Sequence, residues 1–140
     1  LNNSAIETRI IIIKIIRDSI SSSKPLASIY SKYLNNLKLS STDRRFIVEV
    51  TKGTIRMSKR IDYEIAHYYK GKIKKLEQLY LIILQIAIYQ FNYLDKIPDY
   101  AIVSTSVDIT KLFFPKYSKL LIAQELESKV LDRKFGSLGN

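Results

Sequence analysis

Between Gln78 and Leu94 the chain carries no charged residue, and this stretch restricts what the rest can fold into. With Leu79, Ile82, Ile83, Ile86, Ala87 and Tyr89 among its residues, a helix here is apolar nearly all round. Such a helix has no face to give to water, so other elements must surround it. A bilayer would also accept it, but Gln85, Gln90 and Asn92 interrupt the stretch. It also falls short of the ~20 apolar residues that a spanning helix needs. The expectation is a central core helix over about Leu76–Leu94.

The surrounding sequence supplies helices to wrap it. Four glycines and three prolines in 140 residues fall mostly where helices should end. A first helix is expected over about Ile6–Ile20 and is broken by Ser21-Ser22-Ser23-Lys24-Pro25. A second spans about Leu26–Leu37, with Leu26, Ile29, Tyr30, Tyr33 and Leu37 at helical spacing. Ser40-Ser41-Thr42 offers hydroxyl caps to a third helix, and Asp43 stands in its first turn, where a carboxylate suits the helix dipole. That helix is read as continuous from about Asp43 to Lys70. Ile47, Val50, Thr54, Met57, Ile61, Ile65 and Tyr68 step by three or four within an arc of roughly 80°. Gly53 interrupts it at a cost of about 1 kcal/mol relative to Ala, through either a close helix crossing or a kink. After Pro98 a helix is expected over about Asp99–Phe113, with Ile102, Val103, Val107 and Leu112 inside and Pro115 at its end. A last helix covers about Lys116–Arg133 through Leu120, Leu121, Leu126, Val130 and Leu131. The reading is an all-α bundle of six or seven helices, one domain over residues 1–135 with a flexible tail at 136–140.

Charge narrows the function. The formal net charge is +10, and it is not evenly spread. Residues 1–75 hold 16 Lys and Arg against 6 Asp and Glu, whereas residues 76–140 hold seven of each. A localised cationic excess suits a polyanion such as RNA, DNA or an anionic membrane, and otherwise serves as a solvated face. The basic helices also have core-facing stripes to bury, which disfavours the membrane surface. The run Ile10-Ile11-Ile12-Ile13-Lys14-Ile15-Ile16 is too short and wrongly flanked for a signal peptide. The chain starts at Leu1, as a trimmed or processed product would. The expectation is an intracellular, cytoplasmic protein without membrane association.

The chemistry of catalysis leaves no signature. There is no cysteine for a disulfide, a thiolate zinc site or a nucleophile, and the lone His67 implies no metal cluster. No GxGxxG, P-loop, HExxH or GxSxG pattern occurs, so no cofactor is implied. Asp95 and Asp99 flank Pro98 in what reads as a solvated turn before a helix. Tyr30, Tyr33, Tyr89 and Tyr93 read as packing tyrosines with a wet hydroxyl.

What remains is the basic set. Arg9, Lys14 and Arg17 lie on the first helix. Arg44, Arg45, Lys52, Arg56, Lys59 and Arg60 decorate the third, with Tyr63 on its basic face as a stacking platform for unpaired bases. On the helical wheel Arg45, Lys52, Arg56, Lys59 and Lys70 lie opposite the apolar stripe. If the two helices are neighbours, the ten residues of this set can follow a phosphate backbone with salt-dependent affinity and little sequence reading of their own.

Specific segments are also familiar. Asp43-Arg44-Arg45-Phe46-Ile47-Val48-Glu49-Val50, Gly53-Thr54-Ile55-Arg56 and Ile61-Asp62 resemble the NusB family. So do Ile88-Tyr89-Gln90, Tyr93-Leu94-Asp95-Lys96-Ile97-Pro98-Asp99-Tyr100-Ala101 and Val107-Asp108-Ile109-Thr110-Lys111. The resemblance runs in order from about Arg9 to Lys111. Ser104-Thr105 stands where the family usually has Asn-Glu, and Ser128 where it has the Asn of a Val-Asn-x-Val-Leu motif. The family includes free transcription antitermination factors that bind RNA with a ribosomal-protein partner. It also includes helical N-terminal domains of small-subunit rRNA cytosine-C5 methyltransferases, which the Gly-Thr-Ile-Arg and Pro-Asp-Tyr-Ala wording resembles more. The resemblance implies an RNA-binding fold of two small helical subdomains, with Arg9 and Arg17 on the RNA-contacting surface. It implies RNA as the partner, beside a ribosomal protein or a methyltransferase domain. The catalytic methyltransferase domain is absent, so this chain alone should not methylate. A protein-interaction module that uses the neutral C-terminal half is the remaining reading.

Overall fold

A computed structural model describes residues 3–35, 37–69, 71, 76–115 and 125–132. Six helices follow one another as α1 (Asn3–Ser21), α2 (Leu26–Leu34), α3 (Ser41–Arg56), α4 (Ser58–Tyr68), α5 (Gln78–Tyr93) and α6 (Asp99–Phe113). Residues 125–132 form a further helix, α7. No strand occurs among the described residues, in keeping with the all-α reading. None of their helices is long and apolar enough to cross a membrane.

The α5 helix sits where its composition requires. Every residue from Ile82 to Phe91 is buried. The α1, α3, α4 and α6 helices all pack against it. One group of helices is α1 with α2 and α3, the other is α5 with α4 and α6, and the two meet through α1–α5, α3–α5, α1–α6 and α3–α4 contacts. A single core runs through both. It joins Ile12, Ile13, Ile15 and Ile16 of α1 to Ile47 and Val50 of α3, Ile61 and Ile65 of α4, and Ile102 and Ile109 of α6. Full burial of each such side chain contributes about 1.5–3 kcal/mol.

Local chemistry sets the helix ends. The Ser40 hydroxyl accepts the Asp43 N–H at 3.0 Å and caps α3, as the Ser-Ser-Thr stretch suggests. Pro25 and Pro98 stand just ahead of α2 and α6 in extended conformation, where a missing N–H interrupts no helical hydrogen bond. The first helix begins at Asn3 rather than near Ile6. The second ends at Leu34, which leaves Leu37 outside it and exposed.

The expected third helix is in fact two. The chain turns at Met57, whose φ of −97° and ψ of 12° lie outside the helical region and whose N–H reaches back to Gly53 O at 2.9 Å. Its own carbonyl then accepts the Ile61 N–H at 2.9 Å, which opens α4. Gly53 is not the bend. A Cβ added there would collide with the Tyr89 ring, so this glycine marks the crossing of α3 over α5. Two further residues change sides. Leu112 is 62% exposed and Leu131 is also exposed, because the inner stripe of α6 runs through Ile102, Ser106 and Ile109, and that of α7 through Leu126 and Val130. The expected start of the last helix at Lys116, with Leu120 and Leu121, and the tail at 136–140 lie outside the described residues.

Beside its apolar stripe, the α7 helix is tied to α4 by polar groups. Lys129 pairs with Glu64, and the Tyr68 hydroxyl donates to Asp132 at 2.8 Å. Glu125 lines a small cavity together with Ile65, Tyr68, Leu84 and Ile88, and burial pushes its carboxyl up to about 7 from an ordinary value of 4.5. The folded chain therefore keeps a proton that the unfolded chain releases, and stability falls as pH rises through the window between those two values. Glu125→Gln should flatten that decline, as read from thermal unfolding midpoints at about pH 5 and about pH 8. An unchanged pH slope would remove Glu125 as its source.

Candidate nucleic-acid interface

The α1 and α3 helices, which carry most of the candidate RNA-contacting cations, are neighbours in space. Their basic residues nevertheless divide into two kinds. Arg45, Lys52 and Arg56 are exposed and fall within about 40° of one another on the helical wheel. They form a row about 16 Å long on the outer side of α3, since each residue advances the helix by about 1.5 Å. Ile47, Val50, Thr51 and Thr54 face the core from the other side. Glu49 is exposed in the same row, four residues after Arg45, so the row is cationic but not uniform. Past the turn at Met57, Lys59 and Arg60 are exposed at the start of α4, and Tyr63 follows with 82% of its surface in solvent. The break at Met57 therefore places these three on a second helix axis rather than on an extension of the first.

The other kind is engaged internally. Arg9 is half-buried. Its Nη2 donates to Gln90 Oε1 at 2.9 Å, its Nη1 to Ala5 O and Thr8 Oγ1 at 3.2 Å, and its guanidinium lies 4.6 Å from the centre of the Phe46 ring. Burial lowers its pKa, and Asp43 opposes that shift. Arg9 thus ties α1 to α3 and α5. Arg44 donates from Nη1 to the Leu34 carbonyl at 3.3 Å and holds the last turn of α2. On α1, Lys14 is exposed, and the Arg17 side chain is half-exposed with its Nε 4.0 Å from Asp18.

The four tyrosines expected to pack with a wet hydroxyl do so only in part: the Tyr30 hydroxyl is buried and Tyr93 is exposed. Tyr89 is buried and its ring lies 5.0 Å from that of Tyr93, while the Tyr33 hydroxyl donates to Asp18 at 2.5 Å. His67 is exposed and sets its ring edge-on to Tyr68. No group of three or more potential metal ligands occurs among the described residues.

Sequence reasoning did not single out the polar pair beneath the α3–α4 corner. Gln85 Nε2 donates to Asp62 Oδ1 at 2.7 Å, beside a groove of about 520 Å³. The available signal was a glutamine in the middle of an otherwise apolar helix, where an amide must have a partner.

These features define a small all-α bundle built round one buried helix, with a cationic row on the outer side of α3. The chain belongs to the NusB family, whose family model matches residues 6–122. It is 32% identical over 79 residues to the transcription antitermination protein NusB of Acetivibrio thermocellus, a match that covers 56% of this chain and 54% of that protein. It is also 32% identical over 110 residues to a probable ribosomal RNA small subunit methyltransferase B of Synechocystis sp., covering 72% of this chain and 25% of the methyltransferase. With the NusB of Clostridium kluyveri it shares 24% identity over 78% of this chain and 69% of that protein. The chain thus spans about half the length of the first of these relatives and a quarter of the second.

Proposed function

We propose that this chain is a non-catalytic RNA-binding domain that acts on ribosomal RNA or its transcripts. The carrying observation is the exposed row of Arg45, Lys52 and Arg56, continued by Lys59, Arg60 and Tyr63. Cations on a rigid helix can follow a phosphate backbone, and an exposed aromatic ring can stack an unpaired base. Lys14 and Arg17 add charge from α1. Arg9 and Arg44 shape the surface from beneath, because their guanidinium groups are committed to other helices. The longer match to the methyltransferase at equal identity supports a role as the helical domain of an rRNA methyltransferase or a relative of one. A free antitermination factor working with a ribosomal-protein partner is the second reading, supported by the match to NusB.

The test is binding to single-stranded rRNA fragments across a salt series. Affinity should fall with a log–log slope of about −0.7 per phosphate neutralised. Arg45→Glu combined with Arg56→Glu should weaken binding roughly tenfold or more and make the slope shallower. A salt-independent affinity, or full affinity in the double variant, would show that this face is not the RNA surface.

A further inference from the structure

We propose that the groove at the α3–α4 corner holds one unpaired guanine of the bound RNA. This rests on the RNA-binding reading above and adds a base-reading site to a surface otherwise suited only to phosphates.

The groove of about 520 Å³ lies within the ~300–1,000 Å³ range of small-ligand sites. It is bounded by the last turns of α1, the end of α3, the start of α4 and the first turns of α5. Its walls are largely apolar, with Ile16, Ile55, Leu81 and Ile82 beside the polar Ser19, Ser58 and Gln78, and Ile20 in the lining is 57% exposed. Such walls suit a flat, weakly hydrated ring.

The polar part defines which ring. A carboxylate can only accept hydrogen bonds, so the Gln85 amide must turn its nitrogen to Asp62 Oδ1. That orientation leaves Gln85 Oε1 and Asp62 Oδ2, two acceptors, without a donor among the described residues. Thr54 also lines the groove. It is only 1% exposed, and its hydroxyl has no hydrogen-bond partner among the described residues. A buried polar group without a partner costs about 1–3 kcal/mol, and a ligand that pairs with it recovers that cost. Two acceptors on residues that line one groove and are joined by a hydrogen bond suit a ligand with two neighbouring N–H donors. Guanine presents them at N1 and N2 on the edge that single-stranded RNA leaves free. Adenine offers donors only at N6, and uracil only at N3.

A protein arginine also carries paired donors and would be drawn to the Asp62 carboxylate, so it is the competing occupant that the test has to exclude. Lys59 stands three residues before Asp62 on α4, and Arg17 three residues before Ile20 on α1, which makes each a helical neighbour of a groove residue. These cations offset the Asp62 carboxylate and can attract the phosphates on either side of a base.

The experiment compares the intact chain's affinity for a short oligouridylate carrying one central guanine with the same strand carrying inosine or adenine. Inosine lacks only the N2 amino group, so this comparison needs no protein variant. The expected result is a preference for guanine of roughly tenfold over inosine and more over adenine. Asp62→Asn should level the guanine and inosine strands, because its amide can present a donor to the incoming donors. Equal affinity of the wild-type chain for guanine and adenine strands, with a normal salt slope, would overturn the groove assignment and leave the RNA reading standing. So would a guanine preference that survives Asp62→Asn in a folded variant, or displacement of the guanine strand by a short arginine-containing peptide added as a competitor but not by free guanosine. Failure of every strand to bind would overturn the RNA reading itself, and this inference with it.

Discussion

Arg9→Ala is expected to destabilise the fold by about 2–4 kcal/mol, measured by denaturant unfolding. Two losses add. The guanidinium over the Phe46 ring contributes about 0.5–2 kcal/mol through its attraction to the aromatic face. Gln90 is buried, and its Oε1 accepts from Arg9 at 2.9 Å, so removal of the donor strands a buried acceptor at a cost of about 1–3 kcal/mol. Arg9→Lys should recover only part of this, because an ammonium cannot reach Gln90, Ala5 and Thr8 together in the planar geometry of the fork. RNA affinity of the folded fraction should change less in Arg9→Ala than in the Arg45 and Arg56 double variant. The reverse order would show that Arg9 contacts RNA directly despite its internal partners.

The second large effect is at the helix crossing. Gly53→Ala would ordinarily stabilise a helix by up to about 1 kcal/mol. Here the new Cβ meets the ring of Tyr89, itself buried on α5, and the expected outcome is a net loss of about 1–3 kcal/mol. In a Tyr89→Leu background the outer part of the ring is gone, and the same substitution should become neutral or stabilising. The coupling between the two sites should thus be about 1–3 kcal/mol in a double-mutant cycle. If Gly53→Ala acts equally in both backgrounds, close approach to Tyr89 is not what the glycine provides.

These two cases mark the limits of the sequence as a guide. The helical class, the central position of α5, the Ser40 cap and the start of α6 after Pro98 were all legible, because each follows from local composition and spacing. The turn at Met57 was not. Neither proline nor glycine stands there, and the apolar stripe passes from Thr54 to Ile61 as though the helix continued. Likewise the inner face of α6 passes through Ser106, a small polar residue, and so the more hydrophobic Leu112 looked internal. For the interface, the cations were visible as residue types. Their separation into an outer row and an internally bonded set was not, because Arg9 and Gln90 are 81 positions apart. The Asp62–Gln85 pair was missed for the same reason, since its meaning depends on α4 lying against α5.

The two glutamines of α5 have a bearing on how the bundle assembles. A cylinder coated with aliphatic side chains has no preferred azimuth, since nearly every rotation about its axis offers its neighbours a similar oily surface. Gln85 and Gln90 remove that freedom. They lie five residues and about 140° apart, so they point to different sides at different heights along the axis. One is met by Asp62 from α4 and the other by Arg9 from α1. Both contacts form only at one combination of rotation and axial position, and any slip leaves an amide, a carboxylate or a guanidinium stranded in hydrocarbon. The pair works as a key in a lock barrel, admitting one setting of the central helix and, through it, one placement of the helices that carry the cations.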